Sequence, residues 1–161
     1  MEMRQVAGVS SARNWAERYA LLPVRLLVGF GFLQHGLAKW SKGPEAFAGI
    51  LHTIGVPAPH LMAILTIATE ILGGIAVLLG AFVAWVSVPG IILMVVAMLT
   101  VHLPYGFSSI KLMGFANGRA QFGPPGYECD LLYVVCFLAL AMSRPTPWSL
   151  DAWRVQRFGR R

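Results

Sequence analysis

The segment from Ala63 to Gly80 reads AILTIATEILGGIAVLLG and contains one charged residue, Glu70. A run of about 20 apolar residues is long enough to cross the hydrocarbon core of a bilayer as a helix. An ionisable side chain at the centre of such a helix costs roughly 2.5–3.5 kcal/mol on insertion scales, so it usually faces protein or water and has a partner. We therefore expect Glu70 to lie inside a membrane-embedded helix bundle.

The composition of the whole chain also indicates an integral membrane protein. The 161 residues are 57% hydrophobic and 12% charged, whereas a soluble domain has about 25% charged residues. The net charge of +6 does not predict nucleic-acid binding, because the arginines cluster before the first apolar run and after the last one. They are Arg4, Arg13 and Arg18 on one side and Arg144, Arg154, Arg157, Arg160 and Arg161 on the other. By the positive-inside rule, both termini are predicted to be cytoplasmic.

Four apolar runs predict an all-α fold, a four-helix transmembrane bundle that forms one domain over residues 1–161. The predicted spans cover about residues 19–40, 60–80, 82–103 and 127–143. In the first outer loop, apolar residues at helical spacing predict a short interfacial helix from about Pro44 to Ile54. A second interfacial segment, rich in tryptophan and arginine, is predicted after Pro147, and residues 104–126 are predicted to be a long loop.

Spans that alternate in direction bring most of the polar side chains to the outer end of this bundle. The residues predicted to gather there are His35, Lys39, His102, Lys111 and Glu128. Arg25 and Glu70 are predicted to lie deeper in the membrane. Because the first two spans are antiparallel neighbours, we expect Arg25 to contact Glu70 directly or through water.

These buried charges have two interpretations. They can line an outward-facing pocket for a small polar or quinone-like ligand, with Glu70 as its floor. Alternatively, the Arg25–Glu70 pair can simply fix the packing of the helices. Glu128 is open to a ligand-binding role or to the common role of a carboxylate at a helix N-terminus, and Asp130 is assigned only the latter.

The sequence motifs do not predict a metal site or a bound redox cofactor such as flavin or haem. His35, His102 and Glu128 could supply three metal ligands, but no H-x-x-x-H or E-x-x-H spacing occurs, so no metal site is predicted. The chain has no flavin, haem or C-x-x-C motif. The lack of an internal repeat between the two halves also disfavours a small transporter.

The order and spacing of the motifs resemble the DoxX family of small four-helix bacterial membrane proteins. The resemblance covers about residues 20–151 and rests on Arg25, QHGLAK at residues 34–39, EILGG at 70–74, His102, GYE at 126–128 and SLD at 149–151. The family's recurrent polar residues fall on Arg25, His35, Lys39, Glu70, His102 and Glu128. Some members are linked to thiosulfate:quinone oxidoreduction and others to membrane complexes that handle thiol or oxidative stress.

The resemblance implies two hypotheses for a protein of the bacterial inner membrane. In the first, the chain is a membrane subunit of a quinone-linked oxidoreductase that acts on a small sulfur anion such as thiosulfate. The catalytic groups are then Glu70 and His35, the ligand-binding residues are Arg25, Lys39, His102 and Glu128, and the expected cofactor is a quinone. In the second, it is a non-enzymatic module that binds a lipid or small ligand or scaffolds a soluble redox partner. The expected partners are the lipid bilayer, a redox partner protein and further copies of the chain.

Overall fold

The computed structural model describes residues 15–158, and the predictions that rest on Arg4, Arg13, Arg160 and Arg161 lie outside them. The helices of this part of the chain are α1 Leu22–Lys42, α2 Pro44–Thr53, α3 Pro59–Leu79, α4 Val83–Ala97, α5 Glu128–Met142 and α6 Leu150–Phe158. Helix α4 continues into a π-helical turn, Met98–His102, and a 3₁₀ turn, Leu103–Tyr105. A short helical stretch at residues 15–19 precedes α1.

Within residues 15–158, three helical stretches are long and apolar enough to cross a membrane. They are Trp15–Lys42, Pro59–Leu79 and Val83–Tyr105. Large apolar side chains on the outside of the bundle are exposed, such as Leu72 at 67% and Trp85 at 80%, which suits contact with lipid. The membrane class is thus confirmed. The fourth predicted span corresponds to α5, which has 15 residues, so its crossing of the bilayer stays a prediction.

Helices α1 and α3 pack with their backbones in close contact. A Cβ atom added at Gly74 would lie 2.6 Å from the backbone nitrogen of Leu33, and one at Gly29 would lie 2.8 Å from that of Leu78. Glycines permit this approach because they have no side chain. The glycines on this face of α3 therefore serve packing within the bundle.

An apolar core fills the space between α1, α3, α4 and α5. Its buried members are Val28, Phe32, Val77, Met94, Phe137 and Leu140. The rings of Phe32 and Phe137 meet edge to face with centroids 4.9 Å apart. Gly90, which follows Pro89 in α4, makes room for the second ring, because a Cβ there would lie 2.9 Å from its Cζ.

The short helix predicted between the first two spans is confirmed as α2. Pro44 stands at its first position, where the missing N–H of proline is harmless. Helix α2 packs on α3 through Ala48, Leu51 and Ala63. Its location at the membrane interface stays a prediction.

The connection predicted as a loop contains a β-hairpin, so the all-α prediction is wrong at this point. Strand β1, Leu112–Ala116, pairs antiparallel with β2, Arg119–Phe122. The turn residues Asn117 and Gly118 have φ angles of 52° and 70°. Positive φ at both central residues is the requirement of a type I′ turn, for which Asn-Gly is a preferred sequence. The hairpin was therefore readable from this dipeptide.

Candidate functional site

An ion pair between α1 and α3 lies at the centre of the candidate site. The Nζ atom of Lys39 is 2.6 Å from Oε1 and 2.7 Å from Oε2 of Glu70. The Glu70 side chain is 1% exposed, and that of Lys39 is 25% exposed. Gly36 precedes Lys39 by about one turn, and a Cβ there would lie 2.9 Å from the Glu70 Cβ. The glycine thus lets the two helices come close enough for Lys39 to donate to both carboxylate oxygens of Glu70.

Arg25 lies at the opposite end of α1, and the predicted contact between Arg25 and Glu70 is wrong. Its Nη1 donates to the Thr146 hydroxyl at 2.6 Å and to the Pro147 carbonyl at 3.2 Å, and its Nη2 donates to the Trp148 carbonyl at 3.0 Å. Arg25 thereby holds the segment between α5 and α6. Its Nε, also buried, has no hydrogen-bond partner among the described residues.

The helix register explains why Lys39 and not Arg25 reaches Glu70. Gly36 packs directly against Glu70 in the antiparallel α1–α3 pair. Arg25 is roughly 16 Å further along α1 at 1.5 Å per residue, level with Gly80 at the end of α3. The prediction compared depths as if both spans began at the same level, whereas the glycine contacts set the actual register.

A hydrogen-bonded histidine–aspartate pair joins the end of α4 to the first turn of α5. The Nδ1 atom of His102 is 2.6 Å from Oδ2 of Asp130, whose side chain is 7% exposed. His102 was a predicted site residue, but Asp130 was assigned only a helix-terminus role. The spacing of Asp130, Tyr133 and Phe137 at i, i+3 and i+7 places them on one face of α5 and could have indicated that Asp130 points inward.

Glu128 takes part in the structure of the long loop between α4 and α5. Its carboxylate accepts a hydrogen bond from the Ser109 backbone N–H at 3.0 Å, and its own N–H donates to the Phe107 carbonyl at 2.9 Å. Lys111 is bound locally as well, because its ammonium donates to the Tyr105 carbonyl. The side-chain hydrogen bonds of both residues are therefore with the loop backbone.

His35 and Tyr133 lie between the Lys39–Glu70 and His102–Asp130 pairs, where α1 packs against α5. Their rings meet edge to face with centroids 6.0 Å apart, and the His35 side chain is exposed. His35 lies one helical turn before Lys39 in α1, and Tyr133 lies one turn after Asp130 in α5. We call the following six residues the polar cluster: His35, Lys39, Glu70, His102, Asp130 and Tyr133.

The polar cluster combines carboxylates, imidazoles, a phenol and an ammonium inside an otherwise apolar bundle. Such groups can exchange protons and donate hydrogen bonds to a bound oxygen. Within residues 15–158, no three His, Cys, Asp or Glu side chains come together as a metal site. The alternative set of His35, His102 and Glu128 is therefore not assembled.

Two cavities lie outside the polar cluster. An apolar groove of about 220 Å³ runs beside α3, lined by Trp40, Ile64, Ile67 and Ile71 among others. A larger cavity of about 610 Å³ lies at the opposite end of the bundle, and its lining includes Arg25, Arg144 and Arg154. Of the residues predicted for the site, only Arg25 lines either of these two cavities.

Comparison with known proteins gives the family. A sequence model named DoxX matches residues 20–103, a range that contains Arg25, His35, Lys39, Glu70 and His102. The chain belongs to the DoxX family. The family resemblance noted in the sequence is thus confirmed. Both Lys39 and Glu70 fall in the matched part of this DoxX protein.

Relatives of this DoxX protein cover most of its length. An uncharacterized membrane protein of Mycobacterium tuberculosis is 32% identical over 137 residues, which are 82% of this chain and 79% of the relative. An uncharacterized protein of Haemophilus influenzae is 28% identical over 135 residues, which are 83% of this chain and 89% of the relative. No solved structure matches the chain significantly.

Proposed function

We propose that this DoxX membrane protein is the membrane subunit of a quinone-linked oxidoreductase and that its polar cluster exchanges protons with a quinone. The observation that carries the proposal is the Lys39–Glu70 ion pair, which lies between two apolar helices. Charged groups within membrane spans are expensive and commonly mark ion, proton or substrate sites. A proton-exchanging role suits this pair because it places a donor and an acceptor in the same apolar environment.

A lipid-soluble ligand can reach the polar cluster from the bilayer. The His35 side chain is exposed on the outside of the bundle, and it makes no hydrogen bond to any other described residue. Beside it, the Tyr133 phenol can donate to a quinone oxygen. The apolar groove beside α3 includes Ile67 and Ile71, the neighbours of Glu70 in the helix. This groove offers a surface for the isoprenoid tail of a quinone.

The proposed reaction couples the oxidation of thiosulfate to the reduction of a quinone. Two thiosulfate anions give up two electrons and become tetrathionate, and the quinone takes up these two electrons and two protons to become the quinol. Because the chain has no flavin or haem motif, a partner protein transfers the electrons. Glu70 and His35 relay the protons, and the Lys39 ammonium stabilises negative charge on the quinone oxygen.

We further propose that α5 is the fourth span and that both termini face the cytoplasm of a bacterium, across its inner membrane. Tilt and local bilayer thinning can accommodate a helix as short as α5. Arg144, Arg154 and Arg157 follow α5 at the end of the bundle where α1 begins, and the positive-inside rule assigns such an end to the cytoplasm. The His102–Asp130 end of the polar cluster then faces outward.

Quinone reduction by the protein and its co-purified partners tests the proposal. Thiosulfate and a water-soluble quinone are added to the preparation, and quinol formation is followed by absorbance. Glu70→Gln should lower the rate by at least about 100-fold, the usual contribution of a general acid or base. Lys42→Gln, an exposed charge in the last turn of α1, should leave the rate unchanged. Absence of quinone reduction in every partner combination would contradict the proposal.

The β-hairpin favours a second candidate, a non-enzymatic module that docks a soluble redox partner. Met113 and Phe115 in β1 are 73% and 75% exposed, and exposed apolar patches commonly mark interaction surfaces. Deletion of residues 104–123 should then abolish co-purification of the partner. If the deletion abolishes co-purification while Glu70→Gln leaves quinone reduction intact, the protein is a docking module and Glu70 is not catalytic.

A further inference from the structure

The cavity of about 610 Å³ at the Arg25 end of the bundle lies between α4, α5 and α6 and is rich in positive charge. Its lining includes three arginines, Arg25, Arg144 and Arg154, and one acidic residue, Asp151. The Asp151 carboxylate is already engaged, because it accepts hydrogen bonds from the backbone N–H groups of Phe82 and Val83 at 2.9 and 3.0 Å. The cavity therefore favours an anion.

The arginines have unused hydrogen-bonding capacity. Arg25 is 2% exposed, and its Nε–H has no acceptor among the described residues, a condition that is costly for a buried donor. Arg144 is exposed, and its guanidinium makes no hydrogen bond or ion pair within residues 15–158. The Arg154 guanidinium lies 4.5 Å from the centroid of the Phe82 ring, which holds it beside the cavity. Arginine side chains in this arrangement suit the oxygens of a phosphate.

The surroundings indicate an amphipathic ligand. Val83, Leu140 and Phe158 contribute apolar walls to the same cavity. Trp85 and Trp148 are 80% and 79% exposed at this end of the bundle, and exposed tryptophans at the ends of membrane spans lie at the level of the lipid headgroups. A ligand with a phosphate and hydrocarbon chains would match both parts of the lining.

We propose that this cavity binds the phosphate of an anionic glycerophospholipid, such as phosphatidylglycerol, with the acyl chains along its apolar walls. Its volume lies within the range of small-molecule sites, about 300–1,000 Å³. The site goes beyond the proposed quinone chemistry, because it contains no residue of the polar cluster. Bound lipid would brace the segment that Arg25 holds between α5 and α6.

Binding is tested with full-length protein in a neutral detergent by native mass spectrometry. The probes are phosphatidylglycerol, phosphatidylcholine and inorganic phosphate. The variants are Arg144→Gln and the double variant Arg144→Gln/Arg154→Gln. Arg119→Gln in the hairpin serves as the control, because it removes an exposed arginine at the other end of the bundle.

We expect phosphatidylglycerol to bind more tightly than phosphatidylcholine and to resist competition by millimolar phosphate. Affinity for phosphatidylglycerol should fall about fivefold in the single variant and about 30-fold in the double variant, from the usual attraction of a basic side chain to an anionic membrane surface. The control should bind as the wild type does. Equal binding of the two lipids, displacement by phosphate, or unchanged affinity in the double variant would each overturn the proposal.

Discussion

Lys39 donates to both carboxylate oxygens of Glu70, at 2.6 and 2.7 Å, across the interface of α1 and α3. Removal of one member of a buried ion pair leaves an uncompensated charge and costs about 3–5 kcal/mol. Replacement of both members by apolar side chains of similar size is often neutral or stabilising. A variant in which both Lys39 and Glu70 are replaced therefore tests whether the pair is needed for function or only for stability.

The first prediction concerns the double variant Lys39→Met/Glu70→Leu. It should unfold close to the wild-type temperature in detergent, because the two apolar side chains fill the same volume, yet it should lose quinone reduction. Glu70→Leu alone should lower the free energy of unfolding by about 3–5 kcal/mol. Lys42→Met, an exposed lysine of the same helix, controls for loss of charge. A fully active double variant would assign the pair to helix packing.

The second prediction concerns Arg25, which makes hydrogen bonds to Thr146, Pro147 and Trp148. Arg25→Ala should lower the free energy of unfolding by about 3 kcal/mol, because charged hydrogen bonds are lost and the buried Pro147 carbonyl is left unpaired. Thr146→Val removes one of these contacts and should cost about 1–2 kcal/mol. Thermal unfolding measures both effects, and limited proteolysis should cut residues 144–150 faster in Arg25→Ala. Equal stability of Arg25→Ala and the wild type would show that other contacts hold the segment.

Hydrophobicity and charge distribution predicted much of the fold, because both follow directly from the bilayer. The first three spans, helix α2 and the family could all be read from the sequence. The glycines that follow Glu70 in the EILGG motif also indicate close packing of a neighbouring helix. The hairpin was missed even though Asn117-Gly118 is a known turn signal.

The partners of the charged residues were harder to predict, because they depend on register. A shift of one helix along another by about four turns exchanges Arg25 for Lys39 as the neighbour of Glu70. The Gly36–Glu70 and Gly74–Leu33 contacts fix that shift, and they are formed between segments far apart in sequence. The contact of Asp130 with His102 likewise depends on how α5 packs against the end of α4.

The third prediction concerns Asp151, which caps α4 from a distant part of the chain. Its carboxylate accepts from the N–H groups of Phe82 and Val83, and its own N–H donates to the Gly80 carbonyl at 2.9 Å. Asp151→Ala should lower the free energy of unfolding by about 1 kcal/mol, the usual value for a lost N-terminal cap. Asp151→Asn keeps one hydrogen-bond acceptor, so its free energy of unfolding should fall by less than that of Asp151→Ala. Thermal unfolding in detergent distinguishes the two, and equal losses would mean that one acceptor oxygen is not enough to stabilise the start of α4.

The fourth prediction compares two helical glycines that differ only in their surroundings. A Cβ at Gly74 would lie 2.6 Å from the Leu33 backbone nitrogen and 2.9 Å from the Gly29 carbonyl oxygen, so Gly74→Ala must push α1 and α3 apart. We expect a loss of about 1–3 kcal/mol in the free energy of unfolding, as for other overpacked interiors.

Gly49 in α2 is the matched control, because a Cβ there would meet no atom within 4 Å. Gly49→Ala should raise the free energy of unfolding by about 0.5–1 kcal/mol, since alanine loses less conformational freedom than glycine when it enters a helix. Because the separation of α1 and α3 also sets the Lys39–Glu70 distance, Gly74→Ala should lower quinone reduction while Gly49→Ala leaves it unchanged. Similar thermal unfolding of the two variants would show that α1 and α3 can move apart without loss of stability. Glycine would then not be required at this interface.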